Sequence, residues 1–288
     1  MAGLAENGSI KAEDLVWIFG TGRGGSTWLA SMMGELAGGR FWDEPLVGKL
    51  FGDLYYSGPG TVQADLDAFV YARKYRDAWL RSIRNFVLES ARVRFAEVAE
   101  GDYLVVKEPN GSIGAPLLME ALPESRMILL VRDPRDVVAS NMKAREEGGW
   151  LAEQHRNALR PGEGPARTNP NAAIKRRAKR YVENVGNAKD AFESHAGHKV
   201  LIRYEDLRAD TLGTMKRLYS TLGISVREEV LIATVEKHAW ENIPEEEKGP
   251  GKFNRKATPG GWREDLTPRQ FEMVEEITAP LLEEFYPA

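Results

Sequence analysis

The stretch Asp14–Leu29, DLVWIFGTGRGGSTWL, constrains the fold more than any other. A short apolar run ending in glycine reads as a buried strand. Beyond Thr27 the residues Trp28, Leu29, Met32, Met33 and Leu36 recur at helical spacing. The glycine-rich turn therefore joins a strand to a helix. Backbone N–H groups in such a turn, leading into a helix N-terminus, attract an anion. Gly22, Gly24 and Gly25 let the backbone approach phosphate oxygens. Ser26 and Thr27 add hydroxyl donors, and Arg23 adds a cation that can hold an oxyanion with two donors. Gly20 and Gly25 keep the outer spacing of a nucleoside-triphosphate loop, but Ser26 and Thr27 follow where such a loop needs Lys and then Ser or Thr. That lysine normally helps neutralise the β and γ phosphates. Its absence suits a ligand with a shorter, less charged chain. A tight βα turn whose glycines serve only packing is the plainer reading. The coincidence of strand, loop arginine, two hydroxyls and helix favours the anion.

The rest of the chain repeats the alternation. YLVVK (Tyr103–Lys107), RMILLVR (Arg126–Arg132) and KVLIRY (Lys199–Tyr204) read as further strands. Helical patterns occupy 62–98, 113–121, 134–146 and 171–194. The aromatic, glycine-broken stretch 41–60 reads as a loop with one short helix. Strands alternating with helices predict an α/β fold: a central, mostly parallel sheet covered by helices on both faces. Ligands of such sheets bind at the carboxyl ends of the strands. With 288 residues and neither an internal repeat nor a clear linker, a single domain over 1–288 is expected. The Gly- and Pro-rich segments 148–170 and 241–261 read as mobile loops.

Composition narrows the partners. A net charge of −4 argues against a general nucleic-acid binder, while leaving room for a local basic pocket. The chain has no cysteine, which removes disulfides, thiolate nucleophiles and Cys-based zinc sites. It also fits a reducing compartment. The opening MAGLAENGSIKAEDL lacks a basic start and a long apolar run, so no signal peptide is expected. No apolar window of ~18 residues predicts a membrane span. A soluble, cytoplasmic protein is the expectation.

In VRDPRDVVAS, Arg132 ends a strand and Pro134 can occupy the first helical turn. Ser140 follows about two turns down that helix, so both side chains could face one anion. Taken alone, Arg132 would sooner pair with Asp133 or Asp136 on the surface. The set changes that reading. TGRGGSTWL, VRDPRDVVAS and NRKATPGGWREDLT, in this order, resemble the sulfotransferases that use 3′-phosphoadenosine 5′-phosphosulfate. The resemblance runs from about Val16 to Thr267 and implies the P-loop NTPase-like sulfotransferase fold.

It also implies roles. Arg23, Gly24, Gly25, Ser26 and Thr27 would bind the 5′-phosphosulfate, and Trp28 and Tyr204 would approach the adenosine. Arg132, Ser140, Arg255 and Lys256 would hold the 3′-phosphate. The late motif of the cytosolic branch is matched by Arg255, Lys256, Gly260, Trp262 and Arg263, but Ala257 replaces its first glycine and Gly261 its aspartate. That branch takes its base from a His two residues after a strand-end Lys. Here Lys107 is followed by Pro109 at that position. The other branch, with Golgi carbohydrate enzymes and many bacterial relatives, takes a Glu after the first helix from a pattern like FEP. FWDEPL places Glu44 there, with Glu108 as the reserve base and Asp43 behind it. Such a base needs a poorly solvated pocket to raise its pKa, which Phe41 and Trp42 could line. Lys107 and Arg23 would stabilise charge as the S–O bond breaks.

The product would be adenosine 3′,5′-bisphosphate, with no metal required. The acceptor would be a small-molecule, carbohydrate, lipid or polyketide hydroxyl. The run Phe51–Tyr56 would either line the acceptor site or simply pack. His155, His195, His198 and His238 match no motif. Two rivals stand: a P-loop nucleotide kinase in which Asp133 imitates the Mg²⁺-binding Asp, and a nucleotide-binding module without turnover.

Overall fold

The computed structural model describes residues 10–36, 39–57, 64–96, 101–146, 148–152 and 169–287. Its strands are β1 (Leu15–Phe19), β2 (Gly39–Asp43), β3 (Tyr103–Lys107), β4 (Arg126–Val131) and β5 (Lys199–Arg203). Its helices begin with α1 (Ser26–Glu35), α2 (Val47–Gly52), α3 (Arg76–Arg94), α4 (Ala115–Ala121), α5 (Pro134–Ala144) and α6 (Pro170–Ser194). They continue with α7 (Tyr204–Ala209), α8 (Thr211–Leu222), α9 (Glu228–Lys237), α10 (Trp262–Asp265) and α11 (Pro268–Phe285). The chain divides into two compact units, Met1–Val131 with Asn184–Val235, and Arg132–Glu183 with Glu236–Ala288. No helix among the described residues is long and apolar enough to cross a membrane.

All five strands belong to the first unit and form one parallel sheet in the order β2-β3-β1-β4-β5. β1 lies in the middle, and every residue of LVWIF is fully buried. An uninterrupted apolar run is what a strand covered on both faces requires. Ile18 and Asp43 both lie opposite Lys107, so three neighbouring strands end together at the carboxyl edge of the sheet. Leu29, Met32 and Met33 of α1 pack with Val16, Ile18 and Val105, and with Leu218 and Leu222 of α8. The Tyr103 hydroxyl donates to Met33 O at 2.8 Å and lies 2.9 Å from the Tyr219 hydroxyl, satisfying polar groups within that core.

β2 lies where the sequence reads as loop. It is an edge strand, and GRFWD lacks the β-branched run that marks a central one. Pairing with β3, a tertiary contact, makes it a strand. Among the described residues of 62–98, the expected helix is α3, preceded by a 3₁₀ turn at Arg73–Tyr75. α2 lies against the 3₁₀ turn Pro109–Gly114 in direct backbone contact. A Cβ at Gly48 would come 2.1 Å from Gly111 O, and one at Gly52 would come 2.6 Å from Gly114 N.

In the second unit Val138 and Ala139 of α5, Ile174 and Ala178 of α6, and Trp262, Leu266 and Val274 form a separate core. Asp133 caps α5 by accepting from Arg135 N at 2.8 Å, with Pro134 in the first turn. Of the two loops expected to be mobile, most of 148–170 lies outside the described residues. Its described start is tied to the other: Trp150 N donates to Gly251 O at 3.1 Å, and the Trp150 and Phe253 rings lie 5.2 Å apart.

Gly20 ends β1 at φ 150°, and a Cβ there would lie 2.2 Å from Leu130 O of the adjacent strand. Gly20→Ala is expected to cost more than ~3 kcal/mol, since both backbone strain and a backbone clash oppose it. Urea unfolding followed by circular dichroism checks this. A stability within error of the parent would contradict it.

Candidate active site

The glycine-rich loop turns tightly between β1 and α1. Gly20 N donates to Ser112 Oγ at 2.9 Å and Gly24 N to Thr21 O at 3.1 Å. Arg23 adopts φ 71°, and Gly25, the N-cap of α1, adopts φ 94°. Left-handed backbone is costly for a residue with a Cβ, so the loop constrains Arg23. Gly25 is required for a second reason. A Cβ there would sit 2.5 Å from the Tyr204 ring. The Trp28 and Tyr204 rings lie 6.3 Å apart, nearly edge to face, and the Arg208 guanidinium lies 5.4 Å from the Trp28 ring. The two aromatic residues assigned to the adenosine are thus neighbours beside the loop. Arg208 is an addition that no motif announced.

Lys107, at the end of β3, is only 4% exposed. Its ammonium donates to Thr27 Oγ1 at 3.0 Å and contacts Asp43 Oδ1 at 2.6 Å and Glu44 Oε1 at 3.0 Å. Asn110 Nδ2 donates to Glu44 Oε2 at 2.6 Å. One cation therefore joins the helix that follows the loop to the candidate base. The surroundings of Glu44 differ from the apolar pocket expected. Phe41 packs on Gly34 and Trp42 on Phe95, so neither encloses the carboxylate, whose partners are Lys107 and Asn110.

Glu108 is fully buried. Its carboxylate accepts from Leu46 N at 2.9 Å and Gly48 N at 3.3 Å. Burial lifts its pKa to about 8, with Glu44 adding to the rise and the two backbone donors and Lys107 opposing it. Both oxygens of this reserve base face backbone amides rather than an incoming hydroxyl. Glu44, with its side chain one-third exposed, is open to solvent where Glu108 is not, and Asp43, also on Lys107, is more exposed still.

The second unit gathers another set around Asp136. This buried carboxylate accepts from Gly260 N at 2.7 Å and Trp262 N at 2.9 Å, and Arg132 Nη2 lies 4.0 Å away. A Cβ at Gly261 would be 3.6 Å from Lys256 Cδ and 4.0 Å from Asp136 Oδ1. Arg132 thus lies beside the carboxylate that also holds the turn at Gly260–Trp262. Arg255 pairs with Asp265, and Lys256 Nζ contacts Glu264 at 2.6 Å and Asp265 at 3.4 Å. Burial alone would raise the Asp265 carboxyl, but Arg255 and Lys256 outweigh it and hold it below its ordinary value. Ser140 lies on α5, half-buried. Ala257, in the place of a glycine, retains φ 51°. Asp133 is occupied by the cap and by Arg135 Nη2 at 2.7 Å, which removes the Mg²⁺-binding mimic that a kinase reading needs.

A family model described as a sulfotransferase domain matches residues 13–286. The chain belongs to the sulfotransferase family. Carbohydrate sulfotransferase 2 of mouse is 26% identical over 186 residues, covering 57% of this chain and 35% of the relative, and the human protein matches equally. The chain thus spans well under two thirds of the length of these curated relatives. Mouse sulfotransferase SULT7A1, solved in complex with PAP, superposes with a TM-score of 0.57 at 14% identity, covering 95% of this chain and 85% of its own. Sulfotransferase STF9 of Mycobacterium avium gives 0.58 at 14% identity, covering 97% and 78%. At these identities the two structures share the fold.

Within the family's late motif, Trp262 is a core residue: only 7% exposed, it has the Arg135 and Arg263 guanidinium groups over its ring at 4.6 and 4.5 Å. Sequence reasoning named Asp136 only as a surface partner of Arg132, whereas it is buried and also holds two backbone amides; Asn110 and Arg208 were missed. Asp136 sits in the quoted VRDPRD, one turn after Arg132, so helical spacing held the signal. Asn110 and Arg208 had none beyond proximity to a motif. The Phe51–Tyr56 rings pack on one another and on α3: Phe51 on Phe86 at 5.6 Å, and Tyr55 on Trp79 at 5.8 Å. His195 is buried with Nε2 2.9 Å from Ser125 O, and His198 Nδ1 lies 3.1 Å from Thr221 O, both structural roles. His155 lies outside the described residues.

Asp136→Asn leaves one oxygen for two backbone donors. It is expected to destabilise by ~2 kcal/mol through an unsatisfied buried amide, as a fall in the urea midpoint. An unchanged midpoint would dismiss Asp136 as the tie of this unit.

Proposed function

We propose that the chain is a sulfotransferase that moves a sulfuryl group from 3′-phosphoadenosine 5′-phosphosulfate to an acceptor hydroxyl. One observation carries the reading: the buried Lys107 ammonium touches both Thr27, in the first turn after the phosphate loop, and the Glu44 carboxylate. A donor anion at the loop and a base for the acceptor are thereby brought to one cation. The donor supplies the electrophilic sulfur and a phosphate leaving group. Glu44 takes the acceptor's proton as its oxygen bonds to sulfur. The bridging S–O bond breaks, and its electron pair stays on the 5′-phosphate of adenosine 3′,5′-bisphosphate. Lys107 and Arg23, with the loop amides of Gly24 and Gly25 and the hydroxyls of Ser26 and Thr27, stabilise that growing charge. Trp28 and Tyr204 are assigned to the adenosine. Arg132, Ser140, Arg255 and Lys256 are assigned to the 3′-phosphate. Arg132 beside Asp136, whose carboxylate also holds the late motif through Gly260 N and Trp262 N, supports this. The Glu264 and Asp265 partners of Arg255 and Lys256 would then share these cations with the phosphate.

The family match over residues 13–286 supports both units working as one sulfotransferase domain, 1–288. The acceptor is a small molecule or a carbohydrate. Leu46, Leu50 and Leu54, exposed by 41, 56 and 44%, follow directly on Glu44 at one-turn spacing and support an acceptor with an apolar face. A chain without cysteine supports work in a reducing, cytoplasmic setting.

Glu44→Gln is expected to lower the rate of labelled-sulfate transfer by ~10²–10⁴-fold, the usual worth of a general base. Calorimetry should show unaltered affinity for adenosine 3′,5′-bisphosphate. Full transfer by this variant would remove Glu44 from the role. Arg132→Ala should weaken adenosine 3′,5′-bisphosphate by roughly 10–100-fold, as a lost charged hydrogen bond does, yet leave adenosine 5′-phosphate unaffected. Equal losses for both nucleotides would refute the 3′ assignment.

A further inference from the structure

Glu108 neighbours Lys107 in sequence, yet its carboxylate bonds the backbone of another segment. Its main chain is fixed: Glu108 N donates to Ile18 O at 2.9 Å, and Gly111 N donates to Glu108 O at 3.1 Å. Its side chain is enclosed, with Gly111 so close that a Cβ there would lie 1.8 Å from Oε1. From this fixed base it reaches the turn that carries Glu44. That turn is unusual, because Glu44 has φ 43° and Leu46 has φ 58°, both left-handed without being glycine. Leu46 is also the N-cap of α2 and has no side chain able to cap it. Glu108 supplies the missing cap from 62 residues away, through Leu46 N and Gly48 N. On the other side of the turn, Glu44 N donates to Lys107 O at 2.9 Å. The strained pair is thus gripped by two consecutive residues at the end of β3.

We propose that Glu108 is a positioning residue for Glu44: its two carboxylate oxygens clamp the left-handed turn at 44–48, and the turn stays clamped only while Glu108 is unprotonated. The inference rests on Glu44 being the base. Two N–H donors need two acceptor oxygens. A proton on Glu108 leaves one oxygen a hydroxyl, a weaker acceptor than a carboxylate oxygen, and a glutamine turns one into an amide donor that faces a donor; the first loosens the clamp and the second breaks one arm of it. The ionisable groups bearing on Glu108 are Glu44 and Lys107. Asp43 lies on the latter, its carboxylate 2.6 Å from the Lys107 ammonium. Since burial places the Glu108 pKa at about 8, the clamp closes as pH rises through that value.

Stability runs the other way. Between the ordinary carboxyl value of 4.5 and about 8 the folded chain keeps a proton that the unfolded chain has released. Stability contributed by Glu108 is therefore full below the lower value and is lost as pH rises to the upper one.

The test is hydrogen exchange of the peptide spanning 44–52, with urea melts in parallel, on the full chain and on Glu108→Gln. In the parent, exchange corrected for its intrinsic pH dependence should slow about tenfold from pH 7 to pH 9, following the ionised fraction of a group titrating near 8. In Glu108→Gln the peptide should exchange fast at both pH values. The fall in stability between pH 5 and 8 should flatten, and affinity for adenosine 3′,5′-bisphosphate should stay within about twofold. If Glu108→Gln does not fold, the parent's pH response decides alone. A parent profile that is flat, or a glutamine variant that keeps the parent's protection and response, overturns the proposal. Because exchange needs no turnover, Glu44→Gln separates the two readings. Full sulfate transfer by that variant removes the base assignment, whereas the clamp is judged on exchange alone.

Discussion

The first unit depends on one buried ammonium group. Lys107 brings a full charge to a place almost closed to water, where an unpaired ion would be strongly disfavoured. It is tolerated because three segments each bring it an oxygen: the start of α1 through Thr27, the end of β2 through Asp43, and the following turn through Glu44. Those segments meet only because β1, β2 and β3 are parallel and end at the same level. The sheet's topology thus sets the site's chemistry. Reversing any one strand would carry its oxygen to the far edge.

The second unit uses the same device with the sign reversed. Asp136 is the buried ion, and its partners are two backbone amides and a guanidinium. Burial pushes its carboxyl above the ordinary value, while Arg132 and the amides of Gly260 and Trp262 pull against that rise. A carboxylate in this position does two jobs. It fixes the turn of a glycine-rich motif to α5, and it pairs with Arg132.

Much of this was legible in the sequence. Four strands announced themselves as apolar runs, and the glycine loop showed by its residues where it sits, between β1 and α1. Those signals are local, so a single chain displays them. β2 was hidden because an edge strand takes its identity from its neighbour. Glu44 and Lys107 were legible as residue types at family spacings, but the apolar surroundings expected of Glu44 were not found. Strand alternation sends Phe41 and Trp42 into packing elsewhere. Asp136 was in plain view, one helical turn from Arg132, yet its partners lie 124 and 126 residues further on, a distance no local pattern encodes.

The backbone contact between α2 and the turn at 109–114 divides that helix in two. On its inner side Gly48, Gly52, Gly111 and Gly114 leave no volume for any other residue. Mutation there is closed off. On its outer side Leu50, with Leu46 just before the helix and Leu54 just after it, is about half exposed, with room around each side chain. A lineage of such proteins is free to rewrite that outer face one residue at a time, exploring new partners, while the geometry beneath stays unaltered.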